Sequence, residues 1–320
     1  MTPKLTWSGL LWVSIIYGLL TVLLMQFHGY QINFGEWYDQ REQRHSRLVN
    51  NEGDTPWAFR IIVPMAAEQM RNELAASDLL TRAQAREFSY LLLRFGFTVG
   101  FLLLFHIYLT RWVSPAWAMV GGMWMIALQG LSYINYWYQP ASALDLLLWL
   151  AAVELTLRRQ DRWLIPLLIV GTLNRETAIF MIALHAGARY GDEPLADLAS
   201  RCQVLVGFWA AVYLGLRTYI HPVGTANRPV IKHIQDNLNG EWLGYAFFFV
   251  SPMMVMPTLS PRKVPAVLWR IALALVPYLL LVLVFGRVRE VRLLLPLAIP
   301  FIPASLILLR DQLEPDAQGG

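Results

Sequence analysis

Long apolar segments separated by shorter polar ones make up most of this chain. A bilayer-spanning helix needs about 20 apolar residues, and several of these segments are shorter. The pattern therefore predicts about ten transmembrane or half-span helices, some tilted or paired as half-spans. The apolar segments lie near residues 10–27, 88–109, 116–134, 142–157, 163–173, 178–188, 204–220, 243–257, 264–285 and 293–309.

Composition supports this prediction of an all-α polytopic membrane protein. Hydrophobic residues make up 56% of the chain and charged residues 15%, a balance outside that of soluble proteins. No polar segment is long enough for a soluble domain of ordinary size, so residues 1–320 are predicted to form a single transmembrane domain. Residues 10–27 lack a cleavage pattern behind them and are expected to be a retained first span.

The basic residues of the short loops predict the orientation. They fall on one side of the membrane if the N-terminus is cytoplasmic, and cytoplasmic loops carry an excess of Lys and Arg. Both termini are therefore expected in the cytoplasm. The same rule explains the net charge of +4 better than a nucleic-acid partner does, and no such partner is expected. These loop residues are Lys4, Arg111, Arg158, Arg159, Arg162, Arg189, Arg201, Arg262, Lys263 and Arg310.

Residues 28–87 form the longest polar segment and are expected on the outer face. Between Met65 and Arg86, apolar and charged residues alternate at near-helical spacing, which predicts helices lying in the membrane interface. Among the acids of this segment, Asp39 and Asp54 have aromatic or turn-forming neighbours within reach of the bilayer surface. The alternative is that these acids are only solvated loop charges.

The polar stretch Asn174-Arg175-Glu176-Thr177 lies between two apolar runs, each about half a span long. Ionisable residues inside membrane segments are costly and mark functional sites by default. Two half-helices meeting at such a vertex present charged groups and freed backbone groups to a cavity. The structural alternative is that Arg175 and Glu176 pair with each other or with a neighbouring helix and hold the bundle together.

The last outer loop, Gly286 to Arg292, carries Arg287, Arg289, Arg292 and Glu290. Guanidinium groups bind phosphate oxygens in a bidentate manner, and this basic cluster on the outer face runs against the positive-inside trend. The loop is therefore a predicted anion site. The alternative is that the arginines pair with lipid headgroup phosphates at the interface.

Several polar residues are predicted to have local structural roles. The spacing Ser142-x-x-Asp145 predicts a capping box at a helix start, and Glu154 is spaced to pair with Arg158. His221 and His233 are expected to have surface polar roles. With Cys202 as the only cysteine, no internal disulfide is possible. A metal site is left open, as a possible divalent metal without assigned ligands.

The order of these parts resembles the small bacterial members of the GT-C class of membrane glycosyltransferases. The likeness rests on the acidic first outer loop, the segment Trp57-Ala58-Phe59-Arg60-Ile61-Ile62-Val63-Pro64, the vertex at 174–177, and Arg289-Glu290-Val291-Arg292-Leu293-Leu294-Leu295-Pro296. It implies a many-helix fold with an outward-facing active site and a polyprenyl-phosphate-linked sugar as donor. It also implies that an acid of the first outer loop, by position Asp39 or Asp54, acts as base or helps to hold a metal.

Glycosyl transfer from a phosphate-linked donor needs a stabilised leaving phosphate and a base for the acceptor hydroxyl. Asp39 is the first candidate base and Asp54 the second, with Glu176 and Glu290 orienting the arginines. The expected partners are membrane lipids, the donor, and a saccharide, lipid or protein acceptor. The predicted phosphate-binding residues are Arg60, Asn174, Arg175, Glu176, Arg287, Arg289, Glu290 and Arg292.

Two other functions fit the same residues. A flippase or transporter of a lipid-linked saccharide could use a broken helix and arginines without catalysis. Transporters usually show internal repeats, and the two halves of this sequence show no convincing repeat. A non-catalytic component of a polysaccharide assembly complex is the third possibility.

The distribution of basic loops generates a topology prediction. With Cys202 replaced by serine, single cysteines introduced near residues 50 and 230 should react with an impermeant maleimide in intact cells. Cysteines near residues 160 and 262 should react only after the membrane is opened. Labelling near residue 160 from outside would overturn this orientation.

Overall fold

The computed structural model of this protein describes residues 7–32, 38–77, 79–132, 140–224, 229–288 and 290–314. These residues form fourteen α-helices, with no β-strand among them. The α-helices are α1 Trp7–Ile32, α2 Tyr38–Val49, α3 Ile62–Ala76, α4 Arg82–Leu109, α5 Pro115–Leu131, α6 Pro140–Leu157, α7 Leu164–Asn174, α8 Phe180–Arg189, α9 Leu195–Tyr219, α10 Val230–Asn237, α11 Gly240–Leu259, α12 Ala266–Ala274, α13 Val276–Phe285 and α14 Ala298–Leu313. Short 3-10 helices lie at Trp57–Phe59, Asp161–Trp163, Glu176–Ile179, Pro261–Lys263 and Val291–Leu297.

Seven helical segments of the described chain are long and apolar enough to cross a membrane, which makes this a multi-pass membrane protein. They are Trp7–Tyr30, Arg82–Leu109, Pro140–Leu157, Leu195–Tyr219, Gly240–Leu259, Ala266–Phe285 and Val291–Leu313. Each of the ten predicted apolar segments lies largely in helix, but three are short: α5 has 17 residues, α7 has 11 and α8 has 10. At 1.5 Å per residue, α7 is about 16 Å long, roughly half of a bilayer core.

The bundle is arranged around its last helix. Most of the segment Val291–Leu313 is buried inside the protein, whereas Leu195–Tyr219 is largely exposed. α14 packs against α5, α11 and α12, and α4 packs along α3 and α6. Large apolar side chains are exposed along α1, α9 and α11, including Leu19, Leu214 and Phe248, as expected where lipid rather than water is the neighbour.

Polar contacts join several short loops at one end of the bundle. Glu154 accepts hydrogen bonds from Arg158 at 2.6 Å and from Arg111 at 2.8 Å, so the predicted pairing of Glu154 with Arg158 is confirmed. Arg310 donates to the backbone carbonyl of Trp112 at 3.3 Å. Two loops and the last turn of α14, each with a predicted cytoplasmic arginine, therefore meet at the same end.

The described part of residues 28–87 is more helical than its sequence pattern predicts. α1 continues to Ile32, and the helical pattern expected between Met65 and Arg86 is divided between α3 and α4. The division has a local cause. Thr81 accepts a hydrogen bond from the backbone of Gln84 while the Gln84 side chain accepts one from the backbone of Thr81, a capping box that starts α4.

The packing of α8 on α12 generates a stability prediction. A Cβ on Gly187 would lie 2.7 Å from the backbone oxygen of Arg270, and small residues allow such close helix approach in membranes. Gly187→Ala should therefore destabilise the protein by about 1–3 kcal/mol, measured by unfolding in detergent. Gly207→Ala on α9 is the matched control. A Cβ added there would meet no neighbouring element within 4 Å, so this variant should be neutral or stabilising. Equal stability of the two variants would contradict the close packing.

Candidate functional site

The break between α7 and α8 is built by one extended residue. Arg175 has φ −162° and ψ 139° and separates Asn174, the last residue of α7, from the 3-10 helix Glu176–Ile179. The predicted vertex is therefore present. The backbone carbonyl of Leu173 accepts a hydrogen bond from the backbone N–H of Ile61 at 3.1 Å. Backbone polar groups inside a membrane must find such partners.

A second backbone group of the break is bonded by α9. The indole N–H of Trp209 donates to the carbonyl of Glu176 at 3.2 Å. Within α7, Gly171 leaves room for Met181 and Ala178 beyond the break, since a Cβ at this position would clash with the Met181 side chain. The local sequence thus combines a small residue before the break with polar partners around it.

Asp145 holds the Arg175 side chain. Its carboxylate lies 2.8 Å from one terminal nitrogen of Arg175, and the other terminal nitrogen donates to the Ser142 hydroxyl at 3.2 Å. Asn174 donates to the same carboxylate at 2.7 Å and to the carbonyl of Ala141 at 3.0 Å. The predicted capping role of Asp145 is therefore wrong: both Ser142 and Asp145 lie inside α6, and Asp145 is a buried partner of the break.

Glu176 and Glu290 also pair with arginines. Arg60 donates to Glu176 at 3.2 Å, while the second carboxylate oxygen of Glu176 is buried without a hydrogen-bond partner among the described residues. Arg292 donates to Glu290 at 2.5 Å and 3.1 Å. Burial tends to raise the pKa of Glu290, but the charges of Arg292 and Arg287 outweigh it and lower that pKa below its usual value. Glu290 is therefore ionised at neutral pH.

The loop that follows α13 is fixed by a buried side chain of α10. The Asn237 amide donates to the carbonyls of Leu283 at 2.7 Å and Gly286 at 3.0 Å, and its oxygen accepts from the backbone of Val288 at 2.8 Å. Asn237 is fully buried. This contact sets where the chain leaves α13 and directs the loop toward the break, and no local sequence motif signals it.

The break at Arg175, the loop that follows α13 and residues of the 41–90 region enclose one cavity of about 830 Å³. The vertex at 174–177 and the loop of residues 286–292 therefore share a cavity, although more than a hundred residues separate them. The cavity is strongly basic, with seven arginines and three glutamates among its lining residues. The charged lining residues are Arg41, Arg44, Arg60, Arg86, Arg175, Arg287, Arg292, Glu87, Glu176 and Glu290.

The structure sorts the predicted site residues into three groups. Lining the cavity are Arg60, Arg175, Glu176, Arg287, Glu290 and Arg292. Asn174 lies behind it, buried against Asp145. The two candidate bases do not line it: Asp39 is exposed in the first turn of α2, and Asp54 pairs with Arg47 at 3.0 Å. Arg289 lies outside the described residues.

A second wall of the cavity was not expected from the sequence. α2 contributes Arg41, Arg44, His45 and Leu48, which recur at positions i, i+3, i+4 and i+7. This spacing places them on one face of the helix, and the same period could have indicated the wall. His233 of α10, expected to be a surface residue, lines the cavity as well.

Buried polar contacts connect this second wall to α3 and α4. His45 lies 2.8 Å from a Glu68 oxygen and 3.0 Å from the Tyr90 hydroxyl. Burial lowers the pKa of His45 despite the neighbouring Glu68, so the imidazole is neutral at neutral pH. Arg86, almost fully buried, pairs with Glu42 of α2. These contacts fix α2 beside the cavity.

No protein-family model, no curated protein and no solved structure matches this chain. Among the described residues, no three His, Cys, Asp or Glu side chains come together in a way that could hold a metal ion. The chemistry of the cavity therefore has to be inferred from its own arginines, carboxylates and apolar lining.

The Asp145 and Arg175 pair generates a coupling prediction. Removing one partner leaves a buried charge uncompensated, so Asp145→Ala and Arg175→Ala should each destabilise the protein by about 3–5 kcal/mol. The double variant should be less destabilised than the two losses added together, because neither charge is left unpaired. Unfolding in detergent measures all three.

The exposed Glu52 supplies a control for removing an acid, and Glu52→Ala should change stability by less than about 0.5 kcal/mol. Strict additivity of the two single losses would show that Asp145 and Arg175 do not depend on each other.

Proposed function

We propose that this protein is a membrane glycosyltransferase of the GT-C type that takes a sugar from a polyprenyl-phosphate donor at the outer face of the bacterial cytoplasmic membrane. The observation that carries the proposal is the cavity at the broken helix. Arg60, Arg175, Arg287 and Arg292 line it together. Guanidinium groups are well suited to bind a phosphate and to stabilise it as a leaving group.

The apolar part of the lining supports a lipid-linked donor. Leu281, Val282 and Phe285 of α13 line the same cavity, and Phe285 and Leu281 are exposed at the surface of the helix. A ligand with a phosphate head and a hydrocarbon tail can place its head among the arginines and its tail along α13. A free anionic sugar has no hydrocarbon tail to pack against these apolar side chains.

Glu176 is the best placed base. It is a carboxylate that lines the cavity beside Arg60, and 30% of its side chain is exposed. In the proposed step the acceptor hydroxyl oxygen bonds to the anomeric carbon while the bond from that carbon to the phosphate oxygen breaks. The phosphate leaves with the electron pair toward the arginines, and Glu176 takes the hydroxyl proton. Glu176 is therefore the candidate base in this proposal, in place of Asp39 and Asp54, which lie outside the cavity lining.

The orientation of the site follows from the positive-inside rule. The end that joins Arg111, Glu154 and Arg310 to the basic loops is the cytoplasmic one in this proposal, so the cavity opens on the opposite, outer side. Donor, acceptor and product would then meet outside the cell, as in assembly of cell-envelope polysaccharides.

The proposal predicts separate effects on binding and on transfer. Arg175→Gln should weaken binding of polyprenyl phosphate by about tenfold or more, because a charge-assisted hydrogen bond is lost. Glu176→Gln should keep donor binding within a few-fold and lower transfer by about 10²-fold or more, since an amide cannot accept the proton. The assays use purified protein in nanodiscs with polyprenyl-phosphate sugars and candidate acceptors.

Three further variants identify the alternatives. Arg201→Gln, at the other end of the bundle and paired with Asp161, should leave binding and transfer unchanged. Loss of transfer in Asp39→Asn or Asp54→Asn, but not in Glu176→Gln, would return the base to the first outer segment. If wild-type protein binds the lipid, transfers no sugar and moves labelled lipid across the bilayer, it is a flippase.

A further inference from the structure

Arg44 of α2 and Trp57 of the following 3-10 helix form a cation–π pair at the α2 wall of the cavity. The guanidinium carbon of Arg44 lies 4.8 Å from the centroid of the Trp57 ring, and both residues line the cavity. A guanidinium on an aromatic face is held in orientation by the ring while its N–H donors point outward in its own plane. This is a suitable geometry for binding an oxyanion.

The helix that carries Arg44 is firmly attached to its neighbours. On either side of Arg44, Arg41 pairs with Glu87 at 3.3 Å and His45 lies 2.8 Å from Glu68. Arg41 and His45 are both buried. A binding group on a fixed element loses little conformational entropy when a ligand arrives. Arg44 is therefore presented by a preorganised wall.

This wall is distinct from the proposed phosphate-binding wall. Arg175 comes from the break between α7 and α8, and Arg287 and Arg292 come from the last outer loop, whereas Arg44 comes from α2. The cavity of about 830 Å³ falls within the range of pockets that enclose a whole drug-sized ligand. It is larger than a single phosphate group requires, so a second group can be bound at the same time.

The two walls meet at one turn. Trp57 begins the 3-10 helix that ends at Phe59, and the next residue, Arg60, reaches Glu176 at 3.2 Å. A ligand group on the Arg44 and Trp57 pair would therefore lie beside the group held by Arg60. Substrates of a transfer reaction need this kind of adjacency.

We infer that Arg44 and Trp57 form a second subsite, which binds an oxyanion of a saccharide or lipid substrate beside the donor phosphate. The inference rests on the proposed function for the identity of that phosphate. The oxyanion has two possible sources: an acidic group on the acceptor, or a second phosphate on the donor lipid. Both have the same chemistry toward a guanidinium.

Binding to nanodisc-embedded protein tests the subsite with three probes: a polyprenyl monophosphate, the matching diphosphate, and glucuronate added to the monophosphate complex. If the donor supplies the oxyanion, the diphosphate should bind the wild type about tenfold or more tightly than the monophosphate, and Arg44→Gln should remove that difference. If the acceptor supplies it, Arg44→Gln should weaken glucuronate binding by about tenfold. In either case monophosphate binding should change by less than about threefold.

A matched control exists for the loss of a stacked arginine. Arg217 lies 4.5 Å from the ring centroids of both Phe59 and Tyr213, next to the same turn, but does not line the cavity. Arg217→Gln should leave all three probes unaffected. Arg44→Lys, which keeps the charge and loses the planar fork, should retain part of the binding and serves as the second variant if Arg44→Gln does not fold.

The outcomes separate this inference from the proposed function. If the wild type binds the monophosphate and Arg175→Gln weakens it, while Arg44→Gln and Arg44→Lys alter no probe, the second subsite is wrong and the phosphate site stands. If Arg217→Gln has the same effect as Arg44→Gln, the effect comes from disturbing the turn and the subsite is wrong. If the monophosphate does not bind the wild type at all, the proposed function fails first.

Discussion

The buried ion pair between Asp145 and Arg175 is the interaction on which the rest of the site depends. A charge far from water is costly unless a partner and hydrogen bonds compensate it. The two side chains lie 2.8 Å apart, Arg175 also donates to Ser142, and Asp145 also accepts from Asn174. Because Ser142 and Asp145 belong to α6, while Asn174 ends α7 and Arg175 forms the break, these contacts also attach the broken helix to α6.

The break imposes a second requirement on the surrounding helices. An interrupted helix leaves backbone groups without their usual partners, and lipid offers none. Here Ile61 bonds to the carbonyl of Leu173 and Trp209 to that of Glu176. The turn at 57–61 and α9 must therefore reach the break, and this places Arg60 next to Glu176. The satisfaction of two carbonyls thus helps to shape a cavity that is open on one side.

Charge balance explains why this cavity suits an anionic ligand. Arg175 is paired with Asp145, Arg60 with Glu176 and Arg292 with Glu290. These pairs hold the guanidinium groups in place without removing the net positive charge of a lining that contains seven arginines and three glutamates. Preorganised positive charge at low dielectric is what stabilises a leaving phosphate. The same arrangement holds an anionic lipid head without chemistry, which is why binding and transfer have to be measured separately.

Features that depend on neighbouring residues could be predicted from the sequence, whereas features that depend on distant residues could not. The sequence alone determined the apolar helical segments, since the bilayer restricts their length and composition. It also marked the break at Arg175, because a charge between two apolar half-spans is too costly to keep without a partner or a polar cavity. A local pattern failed where the partner was distant: the spacing of Ser142 and Asp145 fits a helix cap equally well.

Only the tertiary structure decided which charges face one another. The partner of Asp145 is thirty positions away in sequence, and the α2 wall depends on buried contacts such as that between His45 and Glu68. It also separated Asp39, which is exposed, from Glu176, which lines the cavity. The physical reason is that burial and pairing of charges depend on how helices pack, and no short sequence pattern encodes which helix faces will meet.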